Sequence, residues 1–196
     1  MKLIVGLGNP GQVYVHNRHN VGFMFLRYLS RTHGIKIDKK YGKARIRRGK
    51  VGGVDTLLAR PQTYMNISGE AVLLLVKKFE VNLADLIIIH DDLDLPLGKF
   101  RISKDSGSGG HKGVDSVIYH LGSRDFSRLR IGIGRPVPAE EQQPIDVDGI
   151  VDYVLGDFTE IEKKAILSIL PVLSKAVVCF ITDGVYQAMN RFNQRV

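Results

Sequence analysis

The chain has 196 residues, enough for one substantial core and short for two, and its 44% hydrophobic and 24% charged content without repeat or low-complexity tract excludes a disordered or fibrous protein. Its 28 lysines and arginines outweigh 20 acids for a formal charge of +8, which favours a polyanionic partner. The lone Cys179, in "AVVCFI", excludes a disulfide framework and reads as core, and no apolar run approaches the ~18 residues of a bilayer span, so no membrane partner is expected.

From the N-terminus, "KLIVGL" predicts a strand that breaks at Gly6 too early for a signal peptide, so a cytosolic protein is expected. Gly6, Gly8 and Gly11 spell G-x-G-x-x-G, and Asp38 could serve as the ribose-binding acid of a dinucleotide site. Pro10 inside the motif argues against a nicotinamide or flavin, as does the polar "HNRHN" where a crossover helix should bury its first turns. The turn is better suited to holding Asn9 above the sheet edge. A stripe of Val21, Met24, Phe25, Tyr28 and Leu29 predicts a helix directly after His19.

Between Lys36 and Lys50 stand eight basic residues and one acid, Asp38. Within that group "ARIRRGKV" alternates as a half-exposed strand. "VDTLLAR" predicts another strand, and Ile67, Ala71, Leu74 and Leu75 mark a helix for which Asn66 is in N-cap position. In "DLIIIHDD" the unbroken Leu86 to Ile89 predicts a strand buried on both faces, central in the sheet together with "KLIVGL" and "VDTLLAR". Lys99, Arg101, Lys104 and Lys112 form a second basic group around "SGSGGH", followed by a helix with Val114, Val117, Ile118 and Leu121 inward. "RLRIGIG" reads as half-exposed, with Leu129, Ile131 and Ile133 on one face. "RPVPAEEQQPIDVDG", residues 135–149, reads as an exposed, mobile loop. The longest helical pattern runs from Ile161 to Phe180, with a disturbance expected at Pro171. These elements predict the α/β class: a single three-layer domain over residues 1–196, a mixed β-sheet flanked by helices.

Polar residues gather where strands end or helices start: Asn9, Arg18-His19-Asn20, Thr63 to Asn66, His90-Asp91-Asp92 and Gly109 to Lys112. His19 suits a neutral-pH base, and Asp91 could fix its tautomer from the other ring nitrogen. The amides of Asn9 and Asn66 could bind a carbonyl or a developing oxyanion. Two alternatives stand beside this. Asn66 could simply cap its helix, and Asp91, Asp92 and Asp94 could hold a divalent cation in a metal-dependent phosphoesterase. Ser68 lacks the strained elbow of a nucleophile.

In order, "LIVGLGNPG", "RHNVG", "PQTYMNISG", "HDDLDLPLG", "GGHKG" and "LRIGIGRP" closely resemble bacterial-type peptidyl-tRNA hydrolase across most of the chain. The likeness weakens between about residues 33 and 52 and after Arg135. The resemblance implies a monomeric, cytoplasmic esterase without metal or other cofactor. Such an enzyme cleaves a peptide, or an N-blocked aminoacyl group, from the 3′ end of tRNA and so recycles tRNA from stalled translation. It assigns His19 as the base that activates water, Asp91 as its support, and Asn9 as the residue that separates N-blocked from free aminoacyl-tRNA. Tyr14, Tyr64 and Asn66 match positions lining the tRNA 3′ end or adjoining peptide, with His111 close by. Two departures concern tRNA contact: Lys112 replaces the usual asparagine after "GGH", and Ser103 replaces a basic residue, leaving Arg101 and Lys104 to form a phosphate clamp with Arg130. A non-catalytic RNA-binding relative of the same fold is the other alternative; joint retention of Asn9, His19, Asn66 and Asp91 speaks against it.

Overall fold

The computed structural model describes residues 1–136 and 146–193. Strands β1 (Lys2–Gly6), β2 (Lys39–Tyr41), β3 (Ala44–Val51), β4 (Val54–Pro61), β5 (Leu86–Asp92), β6 (Phe100–Lys104) and β7 (Ser127–Gly132) form one sheet in the order β2-β3-β4-β1-β5-β7-β6. β4, β1, β5 and β7 run parallel, while β2, β3 and β6 add antiparallel edges, so the sheet is mixed. The three strands with continuous apolar runs are indeed central, because only a strand covered on both faces can bury every side chain.

Alternation along those strands divides the core. Ile4, Leu58, Ile87 and Ile89 face α1 (Val21–Thr32), α5 (Glu160–Asp183) and α6 (Val185–Phe192). Leu3, Val5, Leu57 and Ile88 face α2 (Ser68–Lys78) and α3 (Lys112–Leu121). A three-layer α/β fold results, with α4 (Val147–Leu155) lying across the carboxyl end of the sheet near the turn at Arg18–Asn20.

The glycines of the first turn serve packing. A Cβ on Gly6 would come 2.5 Å from the Gly22 carbonyl oxygen, and one on Gly22 would come 2.4 Å from that of Ile89. Backbone contact this close presses the start of α1 against β1 and β5, which fixes the turn preceding Val21.

Several expectations need correction. β7 is buried on both faces, with β6 beyond its outer edge, and Arg128 is buried at 1% exposure, its guanidinium bonded to Gly107 and Ser106 of the loop after β6. The segment 135–149 reads as loop throughout from its sequence, yet a helix starts at Val147, with Asp146 Oδ1 accepting from the Gly149 N–H at 2.9 Å. That helix forms because Ile150, Val151 and Val154 have an apolar cavity to face; residues 137–145 of the expected loop lie outside the described residues. α5 runs unbroken through Pro171, held by a capping box between Thr159 and Glu162 and by the buried stripe Ile166, Leu170, Leu173 and Val177. By length and composition α5 could cross a membrane, contrary to the reading of the sequence, but half of its apolar stretch is buried against the sheet.

Candidate active site

His19 stands in a 3-10 turn, Arg18–Asn20, that leads into α1, and Gly22 sets how near that turn sits to the strand ends. Asp91, on the last turn of pleat in β5, is 2% exposed and lies opposite. His19 Nδ1 is 2.9 Å from both Asp91 carboxylate oxygens. His111 N-caps α3 and reaches the same carboxylate from the other face of the sheet, Nε2 to Oδ1 at 2.9 Å.

The tautomers follow from donor counting. His111 Nδ1 accepts the backbone N–H groups of Gly113 and Val114 at 3.1 and 3.2 Å, so it carries no proton. Its proton is therefore on Nε2, donated to Asp91. The His19 Nδ1–H donates to the same anion, leaving Nε2 of His19 with a free lone pair. Burial raises the Asp91 pKa, but the charges and hydrogen bonds of His19 and His111 outweigh it and hold the carboxyl well below the usual range. Burial likewise lowers the pKa of His19, the Asp91 charge and hydrogen bond raise it further than that, and Lys112 lowers it somewhat; the net direction is up. His90, fully buried, is held neutral by desolvation first and then by the neighbouring His111.

A cavity of about 290 Å³ opens over this set. One side is polar, with His19, Asn66, His111 and Lys112; the opposite wall is Ile150, Val151, Val154 and Leu155 of α4. Asn66 does not cap α2: Ile67 is in the cap position with no side-chain bond, and Asn66 is exposed toward the cavity. Asn9 is buried and tied down. Its Oδ1 accepts from Met65 N–H at 2.8 Å, and its backbone N–H and carbonyl both bond the Asn20 amide. Asn9 lines a neighbouring cavity, not the one over His19. Tyr64 is 59% exposed beside Met65, and Tyr14 is half-buried in the 3-10 turn after Gly11.

The expected clamp is only partly assembled. Arg101 and Arg130 are cross-strand partners on one face, with Arg130 Nε bonded to Asp92. Alternation along β6 turns Lys104 to the opposite face, where it pairs with Asp125 at 3.1 Å and sits 5.8 Å from the Tyr186 ring. The acidic trio does not converge either: Asp91 faces two histidines, Asp92 takes Arg130, and Asp94 takes Arg135. Among the described residues one group could ligate a cation, His19, Asp91 and His111, whose atoms lie within 4.8 Å of one another. Both imidazole N–H groups there are spent on the carboxylate, so a cation would have to displace them.

Sequence reasoning missed three contributors. Asn20 locks Asn9, α4 supplies the apolar wall, and Arg18 ties α4 to the start of α5 by bonding the Tyr153 carbonyl and Glu162. Arg18 and Asn20 were visible as polar residues flanking His19; α4 was hidden behind the proline-rich stretch before it.

The family model described as Peptidyl-tRNA hydrolase matches residues 3–196. The chain is 44% identical to a peptidyl-tRNA hydrolase of Dehalococcoides mccartyi, covering 98% of this chain and 100% of that one. It is 40% identical to one of Clostridium acetobutylicum, covering 98% of each. The crystal structure of peptidyl-tRNA hydrolase from Acinetobacter baumannii superposes with a TM-score of 0.88 at 34% identity, over 98% of this chain and 94% of that one.

Proposed function

This chain belongs to the peptidyl-tRNA hydrolase family and hydrolyses the ester joining a peptide to the 3′ end of tRNA, and we propose that His19 is the base of that reaction. The observation that carries the proposal is the shared Asp91 carboxylate, which takes one N–H from each of two histidines and leaves His19 Nε2 as a free base in the cavity. Nε2 takes a proton from water as its oxygen attacks the ester carbonyl, and Asp91 stabilises the imidazolium. The same proton then passes to the departing 3′ oxygen. The exposed Asn66 amide is placed to donate to the oxyanion, and the α4 wall receives apolar parts of the peptide. Tyr14, Tyr64, Arg101 and Arg130 contact the tRNA end, whereas Lys104 serves the opposite face. Asn9, locked through Asn20, acts as a rigid element of substrate discrimination. Residues 1–196 work as one domain, a cytoplasmic monomer with no cofactor and no membrane attachment.

Incubating the protein with N-acetyl-aminoacyl-tRNA and its unblocked counterpart, with and without EDTA, tests this reading. Cleavage of the blocked substrate alone, unaffected by EDTA, is expected. Complete loss in EDTA restored by Mg²⁺ would overturn it in favour of metal-assisted hydrolysis.

Lys112 is exposed on the cavity rim at the first residue of α3. In Lys112→Ala, KM rises with less change in kcat, since a contact made equally in ground and transition states is lost. The Lys112 charge lowers the pKa of His19, so its removal also moves the acid limb of the pH–rate profile to higher pH. Lys112→Asn restores KM but keeps the shifted limb. Unchanged KM and profile in Lys112→Ala, measured at low salt, would place this side chain in solvent without a role.

A further inference from the structure

A second set of cations takes no part in the mechanism. Arg27 and Arg31 lie on the exposed face of α1, Lys36 follows that helix, and Arg45 and Arg60 stand on β3 and β4. Arg27, Arg31, Lys36 and Arg60 line a cavity of about 540 Å³. Arg27 and Arg60 also line an adjoining one of about 420 Å³ that extends to Asn9, beside the active site.

The arrangement is costly for the fold alone. Arg45 and Arg60 are direct cross-strand partners, and like charges so placed destabilise a sheet. Arg60 Nε is buried without a hydrogen-bond partner among the described residues, and its guanidinium lies 5.2 Å from the Phe23 ring. Burial, then the charges of Arg27 and Arg45, lower the Arg60 pKa from its ordinary value. The acids nearest in sequence are engaged elsewhere: Asp55 pairs with Arg48, and Asp38 pairs with Arg47 at 3.0 Å and offers Arg45 only its backbone carbonyl at 3.4 Å. Uncompensated guanidinium groups around a concavity are matched by oxyanions, whose oxygens accept from the planar fork.

We propose that this cluster is a second phosphate-binding surface for the tRNA part of the substrate, on the opposite edge of the sheet from Arg101 and Arg130. The proposal rests on the reading that peptidyl-tRNA occupies the adjoining site. RNA is favoured over an acidic peptide by extent. One carboxylate would satisfy one or two of these cations, whereas successive phosphates satisfy several, and the basic residues of β2 and β3 continue the same edge.

The test is the salt dependence of deacylated tRNA binding to the full chain. In Arg27→Gln/Arg60→Gln the log–log slope becomes shallower by roughly 1.4–1.8, two contacts at about 0.7–0.9 each, and affinity at low salt falls. Arg27→Glu/Arg31→Glu, at two exposed positions, gives a loss in the same direction without disturbing the Arg60 packing, and an unchanged melting temperature certifies its fold. Slopes equal to the parent in both variants would overturn the proposal, as would an effect confined to KM for substrates with an acidic peptide. A parent protein that does not hydrolyse N-acetyl-aminoacyl-tRNA would instead overturn the reading of the site, so the two failures are distinct.

Discussion

His19→Ala is expected to lose about 10²–10⁴-fold in kcat on N-acetyl-aminoacyl-tRNA while its affinity for tRNA stays at the parent level, because a positioned general base acts only in the transition state. The side chain holds no helix cap and bonds only Asp91, so its removal leaves the sheet and α1 intact. Rapid-quench turnover and equilibrium tRNA binding, measured on one preparation, check both halves. The parent should show an acid limb displaced upward from the ordinary histidine value: His19 works as the neutral base, its pKa is raised, and the rate therefore falls as pH drops through that raised value. The variant should lack this limb, since no group with that titration remains in the reaction path. Near-parental turnover, or an unchanged limb, would remove His19 from its role.

What could be read from the sequence divides by the range of the interactions that decide it. The central strands announce themselves because a doubly covered strand must be apolar at every position, as Leu86 to Ile89 are. The positions of His19 and Asp91 are equally legible, since one directly precedes a strongly patterned helix and the other lies near the end of a strongly patterned strand. β7 misleads because Arg128 occupies an outward-looking position in an alternating run, and only the arrival of β6 and the loop at Ser106 and Gly107 buries it. α4 misleads for the opposite reason: its short apolar face gains meaning only from the cavity it closes. Lys104 is decided by β6, a strand the sequence pattern does not announce: once Arg101 and Lys104 share a strand, a separation of three residues puts them on opposite faces. His111 shows the same limit. Its sequence context offers a helix start, but its function as the second donor to Asp91 depends on α3 and α1 meeting at one strand end from opposite faces.

Asp91→Asn should be nearly as damaging as loss of the base, on the order of 10²–10⁴-fold near neutral pH, and the reason is tautomeric as much as electrostatic. His111 Nδ1 is committed as acceptor to Gly113 and Val114, so its Nε2–H must still find an oxygen at position 91. An asparagine that satisfies it with Oδ1 turns its NH₂ toward His19 Nδ1. That nitrogen must then accept, which places the His19 proton on Nε2, the atom that should abstract one from water. The residual activity has its own signature. With the anion gone, the factors that raise the His19 pKa vanish and burial and Lys112 act unopposed, so the acid limb moves to lower pH while the plateau drops. Nitrogen-15 chemical shifts of the two imidazole nitrogens of His19 report the tautomer directly: Nδ1 protonated in the parent, Nε2 protonated in Asp91→Asn. A variant with full activity, or one whose His19 retains the Nδ1–H form, would show that the shared carboxylate does not set the state of the base.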